Sequence, residues 1–269
     1  MNKLTNKDIL KTSLNSDGIL RLSLNNPNNQ NTLSEDMMLN LQSALNESIQ
    51  DKKTRVIIIS AEGPIFSAGH DLKELKAKRQ NSDKGKAYFN DVMTKCSKLM
   101  QTIVKNPKPV IAEVAGVATA AGCQLVASCD LAYAGKSSKF ATPGVNIGLF
   151  CSTPMVALSR NITNKHSMEM LLTGDLISPY KAVEIGLINQ VVNNESLQKT
   201  VLDVASKISK KSAMTLKIGK EAFYNQLDMN LSDAYEYASN VMVQNMLKID
   251  AEEGIDAFIN KRKPKWKDQ

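Results

Sequence analysis

The chain has 269 residues, of which 42% are hydrophobic and 23% charged, and its formal net charge is +7. This apolar fraction is enough for a sizeable core, and the length fits one large α/β domain or two small ones. No apolar run approaches the roughly 20 residues that a membrane-spanning helix needs, so we expect no membrane partner.

The cysteines and histidines exclude two kinds of site. Cys96, Cys123, Cys129 and Cys151 form no C-x-x-C pair, and most lie in apolar or small-residue surroundings. This favours reduced, buried thiols in an intracellular protein. The two histidines, at positions 70 and 166, lack metal-ligand spacing, so we predict no metal site.

The ends of the chain bear on its partners and compartment. A basic cluster spans residues 261–267, and only Trp266 interrupts its charges. We interpret it as a solvated tail and predict no nucleic-acid partner. The N-terminus has no apolar segment of a secretory signal, lacks arginine and contains Asp8. We therefore predict a cytoplasmic protein, with the mitochondrial matrix as the alternative for a eukaryotic source.

The predicted elements alternate along the chain before giving way to helices. Period-2 and continuous apolar runs predict strands, whereas apolar residues repeating every three or four positions predict helices. Ser34 is the predicted N-cap of the first helix. The charged segment 73–84 is predicted to be an exposed, mobile loop, and the chain beyond residue 195 to be helical. The predicted strands are 19–24, 56–59, 110–114, 131–134, 139–141 and 189–192; the predicted helices of the core are 34–51, 86–105, 123–129, 154–160, 165–172 and 178–185.

The central stretch 110–130 combines a buried strand, a turn of small residues and an apolar helix. This geometry leaves backbone N–H groups unpaired at the helix start, where the helix dipole favours negative charge. Such a turn suits a developing oxyanion. A tightly packed strand–helix junction that needs small residues for steric reasons alone is an equal alternative.

Several motifs in order resemble one family. They are GPIFSAGHDLKE at 63–74, the central stretch 115–130, FATPGVNIG at 140–148, and Thr173-Gly174 followed by 182–191. Together they resemble the crotonase (enoyl-CoA hydratase/isomerase) superfamily. The resemblance implies an α/β fold, a crotonase-like spiral of ββα turns over residues 1–195. A C-terminal helical region, 196–269, would pack on this core and build homotrimers or dimers of trimers.

The resemblance also implies a ligand and an oxyanion hole. Family members bind acyl-CoA thioesters, so coenzyme A enters with the substrate and no separate cofactor is expected. The donors that hold the thioester oxygen would be the backbone N–H groups of His70 and Ala121. The imidazole of His70 has two interpretations: an acid or base beside the thioester, or a shape-filling residue, which we favour.

The chain departs from the family where proton transfer is expected. Gln124 stands at the position of the first carboxylate, Gly144 at the second, and Ser152 at the one used by dienoyl-CoA isomerases. None of these residues serves as a general base near neutral pH. We therefore expect ordinary hydration to be weak or absent. Glu113 and Cys151 are the candidate replacements, with a salt-bridged carboxylate and a buried inert thiol as their structural alternatives.

The remaining predicted site residues would contact the ligand. Lys73 resembles a family lysine near the CoA phosphates, and Phe258 and Lys261 resemble C-terminal residues that reach the adenine, sometimes from a neighbouring subunit. For Phe258 a core position on a helix face is the structural alternative. The other predicted substrate contacts are Ala68, Asp71 and Leu72.

Two functions remain open from the sequence. The first is an enzyme of fatty acid metabolism that stabilises a thioester enolate, with isomerase, hydrolase, lyase or unusual hydratase chemistry. The second is a non-catalytic acyl-CoA-binding or regulatory protein that lost the acid–base pair. Small residues around Ala121 favour acyl-CoA binding in both cases.

Overall fold

A computed structural model describes residues 9–269. The first eight residues, on which part of the prediction of no secretory signal rests, lie outside the described residues. Within the described part, no helix is both long and apolar enough to cross a membrane.

Strands and helices alternate as predicted through most of the core, and the bounds of the elements that were predicted agree with the structure within a few residues. The strands are β1 (Leu10–Leu14), β2 (Ile19–Leu24), β3 (Val56–Ala61), β4 (Ile65–Ser67), β5 (Val110–Val114), β6 (Val117–Thr119), β7 (Leu131–Gly135), β8 (Lys139–Ala141) and β9 (Gln190–Val192). The helices are α1 (Glu35–Gln50), α2 (Leu72–Lys78), α3 (Lys86–Lys105), α4 (Ala121–Ser128), α5 (Ser152–Asn161), α6 (Asn164–Thr173), α7 (Pro179–Glu184), α8 (Leu197–Ser209), α9 (Ala213–Gln226), α10 (Leu231–Met246) and α11 (Ile249–Ile259).

Two sheets wind together through the core. A six-stranded sheet has the order β1-β2-β3-β5-β7-β9, and a three-stranded sheet has the order β4-β6-β8. All pairs are parallel except β1 with β2. The successive strand pairs β3 and β4, β5 and β6, and β7 and β8 therefore each add one strand to each sheet before a helical segment. The loops that leave β3 and β5 both emerge at the carboxyl edge of the larger sheet, where parallel folds place their ligands.

The larger sheet separates two apolar cores. In β3, Ile57 and Ile59 face the main core, whereas Val56 and Ile58 face α8. Because successive strand residues point to opposite faces, a strand covered on both sides requires a continuous apolar run. The packing of α8 on the outer face joins the C-terminal region to the core. The division into regions 1–195 and 196–269 stays a prediction.

Four elements differ from the prediction. Segment 73–84, predicted as a mobile loop, contains α2, which the Asp71 carboxylate caps by accepting from the N–H groups of Lys73 and Glu74. The N-terminal strand β1 was missed because most of its residues are exposed. Two strands of the smaller sheet were also missed: β4 lies between β3 and α2, and β6 lies in the central turn of small residues. Each is only three residues long, and the two strands pair with each other.

The basic C-terminus is fastened to the protein, so its interpretation as a solvated tail is wrong. The buried Asp250 carboxylate accepts from the backbone N–H groups of Lys267 and Asp268. Asp268 in turn pairs with Arg55, and the Trp266 indole N–H donates to the Lys210 carbonyl at 2.8 Å. The lysine side chains stay exposed while the backbone is held.

Candidate functional site

The start of α4 is held in a strained conformation. Ala120, the residue before the helix, has φ 50° and ψ −119°, a region that side chains other than glycine rarely adopt. Its N–H donates to the Ala141 carbonyl, and its own carbonyl accepts from the Gln124 N–H. Both of its backbone groups are therefore used, and the helix begins abruptly at Ala121. The first amides of α4 have no partner within the helix.

The loop after β4 packs directly on this helix start. Gly69 has φ 89°, and a Cβ placed on it would lie 2.9 Å from the Ala120 Cβ and 3.0 Å from the Ala121 nitrogen. A Cβ placed on Gly122 would lie closer still to the Ser67 carbonyl oxygen. These contacts bring the backbone around His70 beside the start of α4. Within residues 9–269, neither the His70 N–H nor the Ala121 N–H has a hydrogen-bond acceptor.

The imidazole of His70 behaves differently from its backbone. Both ring nitrogens are sealed from solvent and have no hydrogen-bond partner among the described residues. Burial lowers the pKa of His70, and the nearby backbone of Leu33 opposes this shift. The ring is therefore neutral at pH 7. With both nitrogens sealed, it does not exchange protons with a ligand in this conformation, which favours the shape-filling interpretation.

The two substituted carboxylate positions are both buried. Gln124 lies in the first turn of α4, where its Oε1 is 3.8 Å from the Cys96 Sγ of α3. At Gly144 an added Cβ would lie 2.6 Å from the Leu149 carbonyl oxygen and 2.8 Å from the Cys151 Sγ. The loop that follows Gly144 therefore fills the space that a side chain at this position would need.

The candidate replacement groups are not free to act as bases. Glu113 forms a bidentate ion pair with Arg21, at 2.7 and 2.9 Å, on the sheet face that α8 covers. The hypothesis that Glu113 reaches the acyl group is therefore wrong. Burial raises the pKa of Cys151, so its thiol stays protonated near neutral pH. Ser152 opens α5 and is exposed, and its hydroxyl donates to the Phe150 carbonyl at 3.3 Å.

Some of the predicted ligand-contact groups already have hydrogen-bond partners within the chain, whereas others are exposed to solvent. The Ala68 N–H already donates to the Gln30 carbonyl, and Asp71 caps α2, so their ligand contacts stay predictions. Leu72 and Lys73 are exposed beside the site. Phe258 is 86% exposed, so the alternative of a core phenylalanine is wrong. Lys261 follows α11 in a left-handed conformation and is also exposed.

Sequence reasoning missed a polar cluster that ties α9 to the core. Lys220, whose side chain is 8% exposed, donates to the carbonyls of Ile103 and Lys108 and pairs with Asp130 at 2.7 Å. The Tyr224 hydroxyl donates to the other Asp130 oxygen at 2.9 Å. No sequence signal links Asp130 to α9.

No group of three or more His, Cys, Asp or Glu residues in 9–269 could hold a metal ion. The predicted site residues on the described chain are backbone amides beside α4, buried side chains such as His70 and Gln124, and exposed side chains such as Lys73.

Comparisons with known proteins give one consistent result. A family model described as enoyl-CoA hydratase/isomerase matches residues 15–269. The Xenopus laevis protein named enoyl-CoA hydratase domain-containing protein 3, mitochondrial, is 50% identical over 249 residues, which are 93% of this chain and 83% of that protein. The crystal structure of human enoyl coenzyme A hydratase domain-containing protein 3 has 48% identity and a TM-score of 0.91, covering 96% of this chain and 100% of the human one.

A second solved structure agrees with the first. The enoyl-CoA hydratase of Mycobacterium smegmatis has 42% identity and a TM-score of 0.92, covering 96% of this chain and 98% of that chain. These similarities confirm the predicted resemblance and the spiral α/β fold with its C-terminal helical region.

Proposed function

Because the chain belongs to the enoyl-CoA hydratase/isomerase family, we propose that it binds acyl-CoA thioesters and stabilises their enolates. The donors are the backbone N–H groups of His70 and Ala121. One observation carries this proposal: two amides without acceptors lie on backbone segments packed against each other at Gly69 and Ala120.

The chemistry follows from where charge develops. When a proton leaves C2 of a thioester, negative charge moves to the carbonyl oxygen. Fixed backbone dipoles stabilise that charge without reorganising, and one donor in such a site is worth roughly 3 kcal/mol. The N-terminus of α4 adds its positive dipole end. A site of this kind needs no ionisable side chain to bind the ligand.

Hydration of a double bond needs more than this. General acid–base catalysis contributes roughly two to four powers of ten in rate. Gln124 and Gly144 supply no such group, and burial of both positions favours weak or absent hydratase activity. The same observation supports the second candidate function, a non-catalytic acyl-CoA-binding or regulatory protein.

Three measurements on the purified full chain separate these outcomes. Butyryl-CoA should raise the Tm, because a ligand that binds only the native state stabilises it. Deuterium exchange at C2 above the rate in buffer supports enolate formation, whereas binding without exchange supports the binder. No Tm shift at saturating thioester refutes the proposal, and rapid hydration of crotonyl-CoA refutes only the inference from the missing carboxylates.

A matched pair of glycine variants tests the oxyanion hole. Gly69→Ala would press a methyl group against the Ala121 nitrogen, so we expect at least tenfold weaker butyryl-CoA binding, equivalent to about 1.4 kcal/mol. Gly148→Ala is the control, because Gly148 also has a positive φ, of 75°, but nothing lies within 4 Å of its added Cβ. Backbone strain is then common to both variants, and equal binding by the two would contradict the assignment.

Lys73, Phe258 and Lys261 are proposed to contact the coenzyme A part of the ligand. A lysine suits a phosphate, and an exposed aromatic ring suits an adenine. The exposure of all three residues supports this assignment. Lys73→Ala should weaken binding of butyryl-CoA more at low salt than at high salt.

The C-terminal helices are proposed to assemble a homotrimer or a dimer of trimers. Neither α9 nor α10 has a buried residue in the single chain. Large apolar side chains there stay exposed, among them Leu231, Tyr235 and Leu247 at 76%, 70% and 75%. Exposed apolar surface of this kind is typical of subunit contacts. Light scattering after size-exclusion chromatography measures the assembly, and a monomer would contradict it.

The compartment stays a prediction. The Xenopus laevis and human relatives are both named mitochondrial. For a eukaryotic source, those names favour the mitochondrial matrix over the cytoplasm. Imaging of the tagged chain in its own cell tests this assignment.

A further inference from the structure

Gln124 lies in α4 three residues after Ala121, the proposed oxyanion-hole donor. Residues three apart share one face of a helix, so the Gln124 side chain lies on the same face of α4 as Ala121. Helical side chains lean toward the N-terminus, which brings this one back over the first turn. Three residues rise roughly 4.5 Å along the axis. That spacing suits a substituent on C3 of a thioester whose oxygen meets the Ala121 N–H.

The Cys96 thiol sets the orientation of the Gln124 amide. Burial raises the pKa of Cys96 to about 12, so the sulfur keeps its proton and donates it. The acceptor at 3.8 Å is Oε1 of Gln124. The amide oxygen is thereby directed at α3, which leaves the two N–H donors of Nε2 on the other side.

These donors have no acceptor among the described residues. The Gln124 side chain is part of a residue only 4% exposed, yet its Nε2 is not among the polar atoms sealed from solvent. A nearly buried amide donor without a partner is costly, because water cannot fully satisfy it. A ligand that brings an acceptor oxygen to this point would recover that cost.

The hydrogen-bonding role of Gln124 Nε2 is the opposite of the role that a carboxylate would have at this position. A carboxylate only accepts hydrogen bonds, whereas the Nε2 of an amide only donates them. A saturated or unsaturated carbon at C3 offers no acceptor. We propose that Gln124 selects acyl thioesters that carry an acceptor oxygen on C3, such as 3-oxoacyl-CoA. This inference rests on the proposed function, which supplies the thioester and its orientation.

Titration calorimetry on the full chain tests the selection. Acetoacetyl-CoA and butyryl-CoA have the same carbon number and differ at C3 in the oxygen. The wild-type chain should bind acetoacetyl-CoA about threefold to tenfold more tightly, the equivalent of one net hydrogen bond. Gln124→Met keeps the length of the side chain without the donor, so the affinity ratio should fall to about one.

Control measurements separate this selection from other effects. Gln101→Met makes the same substitution on the exposed face of α3 and should keep the wild-type ratio. If Gln124→Met does not fold, levulinyl-CoA against pentanoyl-CoA tests the wild type. With the oxygen one carbon further along, the ratio should be smaller than for the C3 pair. An equal or larger ratio would place the selective donor elsewhere.

The possible failures are distinguishable. If neither thioester binds, the proposed function fails and this inference fails with it. If both bind equally to the wild type, acyl-CoA binding stands and the role of Gln124 is wrong. A preference that survives in folded Gln124→Met would also overturn it.

Discussion

The close packing around Gly144 predicts that a larger side chain, including a carboxylate, cannot simply be introduced at this position. A Cβ at this position would lie 2.6 Å from the Leu149 carbonyl oxygen and 2.8 Å from the Cys151 Sγ. The Leu149 oxygen is part of the backbone, and the Leu149 N–H already donates to the Gly144 carbonyl at 2.9 Å. The loop must therefore shift to admit even a methyl group.

The size of the effect follows from this overlap. Overpacking a buried site costs typically 1–3 kcal/mol, so we expect Gly144→Ala to lower the free energy of unfolding by about 2 kcal/mol. For a chain of this size that corresponds to a Tm lower by about 4–8 °C. Gly144→Glu should cost more, because a longer side chain must leave the same enclosed place.

Thermal unfolding followed by circular dichroism measures the change. Gly219→Ala is the matched control, because Gly219 lies inside α9 and nothing lies within 4 Å of its added Cβ. Alanine is the better helix former by up to about 1 kcal/mol, so this control should be neutral or stabilising. A Tm for Gly144→Ala within 1 °C of the wild type, about the uncertainty of the method, would refute the packing estimate.

The same reasoning extends to activity. The double variant Gln124→Glu with Gly144→Glu restores both residue types but not the open loop. We expect it to hydrate crotonyl-CoA no faster than Gln124→Glu does. Hydration that rises by the two to four powers of ten of general acid–base catalysis would show that the loop opens readily, contrary to the overlap at Gly144.

Three further predictions concern the framework of the site. Lys220→Met removes the buried partner of Asp130 and should lower the free energy of unfolding by about 3 kcal/mol or more in urea titrations. Ala120→Gly should raise it by about 1 kcal/mol, because glycine relieves the positive φ at some cost in chain entropy. The depressed pKa of His70 means that the unfolded chain binds its proton first as pH falls. Wild-type stability should therefore decline below about pH 7, by at most about 1.4 kcal/mol per pH unit from this residue, and His70→Phe should decline less.

The prediction for Lys220→Met has a matched control on the same helix. Lys217→Met changes an exposed lysine of the same helix and should alter stability by less than about 0.5 kcal/mol. A Lys220→Met variant as stable as wild type, a lower Tm for Ala120→Gly, or equal pH profiles for His70→Phe and wild type would each contradict the corresponding reasoning.

Local patterns predicted most elements because their causes are local. The helix α3 was predicted with its observed bounds, since its apolar period and the proline after it are both visible in the sequence. Ser34 was predicted as an N-cap, and its hydroxyl accepts from the Met37 N–H. The prediction of a mobile loop at 73–84 was wrong because the many charged residues show no apolar period. The short helix α2 in this segment begins at the Asp71 cap.

The candidate site was only partly accessible from sequence. The motif around His70 and the small residues around Ala121 identified the family, and with it the two amides. The closure of the Gly144 loop and the contact between Cys96 and Gln124 were not predictable, because they join segments far apart in the chain. The same holds for Glu113, whose partner Arg21 lies on another strand of the sheet.

The amino-acid sequence by itself determined the alternation of elements and the family, because residue types and short-range periodicity carry that information. Only the tertiary structure decided which polar groups remain without partners. A hydrogen-bond donor is free or used according to what packs against it, and that packing brings distant segments together.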